Sequence, residues 1–437
     1  MVEIVRLTFN KKIIAVVSIV VIIAIILIVN SIVRNDQAKD ANNNATVADN
    51  TQQKTGDVEG EAINAIIEST IEPEPSPTDK VNDKEVVEPS VEKDIPSLHE
   101  VYSEYFPIGA AIEPFQTAGL KADLLKKHVN WLVAENAMKP VSLQPTEGNF
   151  NWTQADQLVE FAKANNMEVR FHTLVWHTQV GDWFFKDVEG NLMVDETDDG
   201  KREANKELLL ERLGTHVRTI VSRYSDDIKS WDVVNEVIEP GDPDGMRASE
   251  WYQITGTEFI ETAFRVAREA GGPDIKLYIN DYGTDDIVKR DRLYELVKEM
   301  LDKDVPIDGV GHQTHISIEW PPVGSIIESM EKFAELGLDN LVTELDMSLY
   351  AWNDRSDFGE DIPDHIVQKQ ADRYAELFEA FKEHKDIIGG VVFWGMADDH
   401  TWLSTFPITR TEAPFLFDKQ LHAKQAFWAI VDPLTRE

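Results

Sequence analysis

The chain has 437 residues, 42% of them hydrophobic and 11 of them tryptophan, enough for one large α/β barrel or two to three ordinary domains around a sizeable core. Its 42 Lys and Arg against 79 Asp and Glu give a formal net charge of −37, which repels phosphate backbones and argues against nucleic-acid binding. It has no cysteine, so disulfides, thiolate metal sites and a lipidated cysteine are excluded, and the compartment has to be read from elsewhere in the sequence.

The first line of the chain supplies that reading. After Arg6, Lys11 and Lys12 the run IIAVVSIVVIIAIILIV carries no charge and one polar residue, Ser18. Extended to Val33, it approaches the ~20 residues that cross a bilayer. It is apolar on every face, which argues against a buried core helix, and the following NSIVRND offers no small-x-small cleavage site. Residues 1–12 therefore read as a basic cytoplasmic N-terminus and 13–33 as a membrane anchor, with the rest of the chain outside the cell; cleavage of this segment would make the protein secreted instead. Residues 34–96 contain no aromatic side chain and are acidic and proline-bearing, as in IEPEPSPTDK. Such a composition cannot bury enough apolar surface to fold alone and reads as a disordered, solvated linker.

From Ser97 to the end, residues 97–437, short apolar segments alternate with amphipathic helical ones. FPIGAAI precedes AGLKADLLKKHV, WLVAENA precedes TQADQLVEFAKANN, EVRFHTLVWH precedes KELLLERLGTHVRTIVSRY, and IKSWDVVNE precedes TEFIETAFRVAREAG. KLYINDY, GVGHQTHI, LVTELDM and GGVVFWGMAD continue the series, each followed by a helical pattern. Eight such pairs without an interrupting linker predict a closed (β/α)8 TIM barrel.

The predicted strands share a polar finish: Glu135 and Asn136, His172 and His177, Asn235 and Glu236, Asn280 and Asp281, Gln313 and His315, Glu344 and Asp346, and Trp394 with Asp398. A lone carboxylate after a strand is usually a helix cap or a solvated charge, but repetition on nearly every strand points to one functional face, because all C-terminal strand ends of a parallel barrel open together. Glu236 and Glu344 stand 344 − 236 = 108 residues apart, about three strand–helix units, which assigns them to the fourth and seventh strands. Two carboxyl groups facing one another in a concave site suit glycoside hydrolysis, one as acid and the other as anion. Indole rings suit the apolar faces of sugars, although Trp152, Trp231 and Trp428 read as packing residues.

A metal is not expected. His312 and His315 lie three apart and His172 and His177 five apart, whereas a strand presents i and i+2 on one side. Neither dinucleotide, P-loop, zinc-protease, serine-hydrolase nor EF-hand patterns occur, so no cofactor is expected either.

The strings AENAMKP, VRFHTLVWHTQ, WDVVNEV, NDYG, GVGHQTHI, VTELDMS and FWGMADDHTWL, in that order, make the span from Ser97 to about Val431 resemble the family 10 glycoside hydrolases, the retaining endo-β-1,4-xylanases. The resemblance implies that Glu236 is the general acid/base and Glu344 the nucleophile, ionised with help from His315, which Asp346 orients. Asn235 is implied to bond the 2-hydroxyl of the sugar being cleaved, with His172, Trp176, Gln313 and Trp394 lining that subsite. Glu135, Asn136, Lys139, Gln179 and Trp402 would hold the next sugar on the non-reducing side, Tyr282 would stack on the leaving side, and His177 would sit behind Glu236. The expected partner is xylan or a xylo-oligosaccharide, with no obligate protein partner. The alternatives are a hydrolase of short xylo-oligosaccharides, a related β-1,4-glycanase, and a surface protein that binds polysaccharide without cutting it.

Overall fold

The computed structural model describes residues 88–435. The expected N-terminus 1–12, the anchor 13–33 and the larger part of the linker 34–96 lie outside the described residues. Among the described residues no helix is long and apolar enough to cross a membrane.

Nine strands are present among the described residues: β1 (Ile108–Ile112), β2 (Trp131–Ala134), β3 (Glu168–Phe171), β4 (Ile228–Asn235), β5 (Lys276–Asp281), β6 (Gly309–His312), β7 (His315–Ser317), β8 (Asp339–Ser348) and β9 (Ile388–Phe393). Eight form the barrel. Parallel pairing runs from β1 to β6 in chain order, passes from β6 to β8 and then to β9, and returns from β9 to β1. The extra strand, β7, is the distal part of GVGHQTHI. The strand is interrupted at Gln313 and Thr314, where Thr314 takes φ 61°, and strand pairing resumes beside the end of β8 with His315 opposite Asp346.

The expected eight helical segments are α1 (Gly119–His128), α2 (Thr153–Ala164), α3 (Asp199–Tyr224), α4 (Glu258–Gly271), α5 (Ile287–Asp302), α6 (Val323–Ala334), α7 (Asp364–Glu383) and α8 (Gln425–Thr435). Helix α4 shows why they form. Phe259, Ile260, Ala263, Phe264 and Ala267 recur at helical spacing and are all buried, Glu258 and Glu261 sit in the first turn, and Gly272 ends the helix at φ 74°. Asp286 starts α5 by accepting bonds from the Val288 and Lys289 amides, each at 3.0 Å.

Packing begins ahead of Ser97. Val91 and Ile95 rest on the core, Ala423 N donates to Glu92 Oε2 at 2.7 Å, and Lys127 Nζ donates to the carbonyls of Glu92 and Lys93 at 2.8 and 2.6 Å. Two apolar side chains are enough to seat the last residues of the expected linker once the barrel supplies a surface.

Two features of the frame set up the mouth. The register shifts in β4 between Asp232 and Val234 and in β8 between Val342 and Leu345, so the strands bearing Glu236 and Glu344 are both irregular beside those residues. Beneath them, in the barrel interior, Arg170 of β3 forms a two-pronged pair with Asp232 of β4, their side chains 1% and 0% exposed. Arg170→Met leaves Asp232 buried without its counter-charge and is expected to cost about 3–5 kcal/mol of stability in denaturant unfolding. A loss below about 1 kcal/mol would show that Asp232 is stabilised without Arg170.

Candidate active site

Glu344 lies within β8, in the stretch between Val342 and Leu345 where the pairing with β9 shifts, and is 4% exposed. Its Oε1 accepts a bond from Asn280 Nδ2 at 2.7 Å, and its Oε2 lies 3.2 Å from His315 Nε2. His315 turns its other nitrogen to Asp346, Nδ1 to Oδ1 at 2.9 Å, and Asp346 Oδ2 accepts from Trp402 Nε1 at 2.7 Å. Burial works against charge on both partners. For His315 the Asp346 carboxylate, supported by Glu344, outweighs it and pushes the imidazole up to about 10. For Glu344 the His315 bond, the nearby His172 and the Asn280 amide outweigh it and bring the carboxyl down to about 2. A buried anion is thereby fixed at the mouth of the barrel.

Glu236 follows β4 with φ 58°, a left-handed conformation unusual for a residue with a side chain. Backbone bonds hold it there: its N–H donates to Asn280 O at 2.8 Å, and its carbonyl accepts from Arg247 Nε at 2.7 Å. Its carboxyl accepts from Trp176 Nε1 at 2.9 Å and from Gln313 Nε2 at 3.0 Å. His177 lies behind it, Nδ1 3.8 Å from Oε2, and burial together with the Arg247 charge pushes that imidazole down to about 4, leaving it neutral near pH 7.

The two carboxyl groups are joined by amides. Asn280 Nδ2 is shared between Glu344 and Asn235 Oδ1, the latter at 2.9 Å, and Gln313 Nε2 reaches Asn235 Oδ1 at 3.3 Å as well as Glu236. This chain fixes the rotation of the Asn235 amide. Asn280 must turn its NH2 to the Glu344 anion, so Asn235 must answer with oxygen. The reverse rotation would offer an oxygen to Trp176 Nε1 and an NH2 to the Asn280 carbonyl, each at 3.2 Å, but would set two NH2 groups against each other at 2.9 Å beside the Glu344 anion. Asn280 has room to act because Gly311 runs directly beneath it; a Cβ at that position would come within 2.2 Å of Asn280 Oδ1.

The remaining predicted residues gather around this centre. His172 Nδ1 stands 3.0 Å from Asp232 Oδ2 and 3.9 Å from Glu344 Oε1, while the Trp394 ring packs edge-on to His172 at 5.2 Å and Trp402 to His315 at 5.0 Å. Lys139 Nζ donates to Asn136 Oδ1 at 2.9 Å and lies 5.0 Å over the Trp176 ring, and Gln179 Nε2 reaches the same Asn136 oxygen at 3.4 Å. Glu135 Oε2 pairs with His400 Nε2 at 2.8 Å. Tyr282 stands apart from these, its hydroxyl accepting from Arg247 Nη2 at 2.8 Å and its ring covered by Lys289 Nζ at 3.1 Å from the centroid. His312 does not join the site: it is buried between Thr284 Oγ1 at 2.8 Å and Asn340 Oδ1 at 3.0 Å.

Residues outside the predicted set also contribute. Asn280 is the bridge between the carboxyl groups, Arg170 and Asp232 support His172, Arg247 holds the Glu236 backbone, and Glu113 accepts from Asn136 Nδ2 at 2.5 Å. Asn280 had a signal in its position at a strand end. Arg170 had only its charge within an apolar strand.

A parallel (β/α)8 barrel whose mouth holds two carboxyl groups among amides and indoles is the frame of a glycoside hydrolase. Within that class the chain belongs to glycosyl hydrolase family 10, whose family model matches residues 97–433. It is 68% identical over 341 residues to a thermostable celloxylanase of Thermoclostridium stercorarium, covering 78% of this chain and 88% of that protein. It is 57% identical over 345 residues to endo-1,4-beta-xylanase A of Halalkalibacterium halodurans, covering 77% and 87%. The crystal structure of xylanase B from Clostridium stercorarium F9 superposes with a TM-score of 0.77 at 69% identity, covering 78% of this chain and all of that one.

The charge on His315 has a measurable consequence. Its imidazole titrates near 6.5 when unfolded and at about 10 in the fold, so its contribution to stability is complete below about pH 6.5 and disappears as pH rises through 10. Glu344 behaves oppositely: its contribution is present above its ordinary 4.5 and is lost as pH falls through about 2. The difference in unfolding free energy between the wild-type chain and His315→Asn is expected to be largest below pH 6.5 and to shrink toward pH 10. A difference that stays constant over that window would mean that His315 is neutral in the fold.

Proposed function

We propose that this chain hydrolyses internal β-1,4-xylosidic linkages of xylan by a retaining double displacement, with Glu344 as nucleophile and Glu236 as acid/base. One observation carries the assignment of roles: Glu344 is the carboxyl group held as a buried anion by the His315–Asp346 pair, while Glu236 faces it with uncharged donors, Trp176 and Gln313, on its oxygens. Glu344 attacks the anomeric carbon as Glu236 passes a proton to the leaving oxygen. A glycosyl–enzyme ester forms on Glu344. Glu236, now a base, takes a proton from water, which attacks the same carbon and restores the original configuration.

The Asn235 NH2, left on the Trp176 side once its oxygen is bound to Asn280, is the donor we assign to the 2-hydroxyl of the sugar undergoing attack, an interaction that strengthens in the transition state. His172, Trp394 and Gln313 line the same sugar. Glu135, Asn136, Lys139, Gln179 and Trp402 hold the next one, and Tyr282 receives the leaving side. Relatives support the substrate class. The xylanase of Thermoanaerobacterium saccharolyticum, 44% identical, has been crystallised as a mutant with xylotriose. The name celloxylanase carried by the Thermoclostridium protein supports a second reading, in which cellulosic β-1,4-glucan is also accepted.

Glu344→Ala is expected to abolish turnover of every substrate. Glu236→Ala should slow xylan cleavage by about 10²–10⁴-fold while still forming the ester from an aryl xyloside whose leaving group needs no proton. Product sizing and proton NMR of the first-released anomer are the checks; an α-anomer as first product, or xylan turnover by Glu344→Ala, would overturn the assignment.

The location is also a proposal, resting on residues 13–33 and the linker behind them. The full chain is expected to sediment with membranes and to be released as an active fragment by protease added outside the cell. Active protein in the medium beginning after Val33 would instead mark the segment as a cleaved signal.

A further inference from the structure

The chain that leaves the end of β4 folds back on itself before it reaches the next helix. Glu239 N donates to Gly245 O at 3.0 Å, Arg247 N donates to Val237 O at 2.8 Å, and Ile238 and Met246 pair as an isolated antiparallel bridge, with Gly245 at φ 74° in the turn. This hairpin carries Arg247 back to Glu236, eleven residues earlier. A second anchor holds the hairpin without help from Arg247: Ile238 N donates to Asp281 Oδ2 at 3.1 Å, and Lys289 Nζ lies 2.7 Å from Asp281 Oδ1.

The Arg247 guanidinium, its side chain 17% exposed, has three partners. Nε donates to Glu236 O at 2.7 Å, Nη2 donates to the Tyr282 hydroxyl at 2.8 Å, and the same Nη2 lies 3.3 Å from Glu239 Oε2. The Tyr282 hydroxyl in turn donates to Glu239 Oε2 at 3.3 Å, which closes a ring of three side chains beside Glu236. The closure matters because of the Glu236 backbone. A left-handed residue with a side chain keeps that conformation only where its surroundings impose it. Two bonds impose it here: Asn280 O holds the amide from the barrel, and Arg247 holds the carbonyl from the hairpin. Release of either end lets the backbone relax and redirects the carboxyl from Trp176 and Gln313, whereas proton transfer needs donor and acceptor within about 2.6–3.2 Å. A planar fork of donors on two acceptors sets direction as well as attraction, which the point charge of a lysine does not.

We propose that Arg247 is a positioning residue for proton donation: it clamps the Glu236 carbonyl to Tyr282 and Glu239 and so holds the Glu236 carboxyl in line with the leaving oxygen. The inference rests on the xylanase reading and on Glu236 as acid/base. It adds a residue on which the acid step depends and the attack by Glu344 does not.

The test measures kcat/KM, which reports formation of the glycosyl–enzyme ester, in the full chain and its Arg247→Lys, Arg247→Met and Tyr282→Phe variants. The substrates are dinitrophenyl β-xylobioside, whose leaving group departs without a proton, and phenyl β-xylobioside, whose leaving group needs one. Both Arg247 variants are expected to lose about ten- to a hundredfold on the phenyl substrate and less than about threefold on the dinitrophenyl one. Tyr282→Phe keeps the ring, removes one anchor of the guanidinium, and is expected to show the same split at smaller size. Equal losses on the two substrates would overturn the proposal, because they would mean that Arg247 only supports the hairpin. Full phenyl activity in Arg247→Lys would overturn it too, since charge without the fork would then suffice. Should the Arg247 variants fail to fold, as judged by thermal unfolding, Tyr282→Phe carries the test, and the absence of a split there overturns the proposal. If Glu236→Ala itself shows no split, the acid/base assignment fails, and if the unaltered chain cleaves neither xyloside nor xylan, it is the xylanase reading that fails.

Discussion

The imidazolium of His315, held between Asp346 and Glu344, is the charge around which the mouth of the barrel is organised. A carboxylate as buried as Glu344 is expensive to ionise, and desolvation alone would make it a neutral acid unfit for attack. Placing a charged histidine against it reverses that balance, but the histidine is itself buried and needs an anion of its own, which Asp346 supplies. Three groups in a row, each intolerable alone, become stable together. Trp402 closes the row by donating to the far oxygen of Asp346, so an indole assigned to substrate binding also completes the charge network.

The same anion propagates order in the other direction. Because Glu344 accepts from Asn280, the Asn280 amide has only one rotation, and this fixes Asn235 and through it the side of Gln313 that faces Glu236. Glu344 and Glu236, the proposed nucleophile and acid/base, are thus coupled through neutral amides with no charged group between them. That arrangement suits two carboxyl groups with different tasks, since a cation shared between them would favour the same ionisation state in both. Glu236 receives its distinct setting from the backbone as well: a left-handed residue at the end of β4, held by Asn280 and Arg247, turns its carboxyl toward Trp176 and Gln313.

Beneath the site, Arg170 and Asp232 tie β3 to β4 inside the barrel and hold His172 from below. Around it, the residues we assign to sugar binding are connected to each other: Lys139 and Gln179 to Asn136, Asn136 to Glu113, Glu135 to His400. Preorganisation of this kind lowers the ordering cost of binding a long, flexible polymer.

The sequence by itself determined the barrel, because eight apolar segments alternating with amphipathic helices have one economical closed arrangement, and the polar finish of those segments marked the active face. It also singled out Glu236 and Glu344, since a pair three strand–helix units apart meets across a parallel barrel whatever the loops do. Tertiary structure alone decided the rest. Asn280 looked like one strand-end amide among several until the close approach of Gly311 placed it between the carboxyl groups. Arg170 looked like a lone charge in an apolar strand until Asp232 was found beside it. His312 and His315, three residues apart, parted into a core histidine and a site histidine because the strand is interrupted at Thr314, a left-handed residue with no glycine to announce it. Val91 and Ile95, too few to mark a folded segment by composition, pack because the barrel offers a surface that the local sequence does not contain. Charge states, amide rotations and docking all depend on groups distant along the chain, and spacing along the chain carries no record of them.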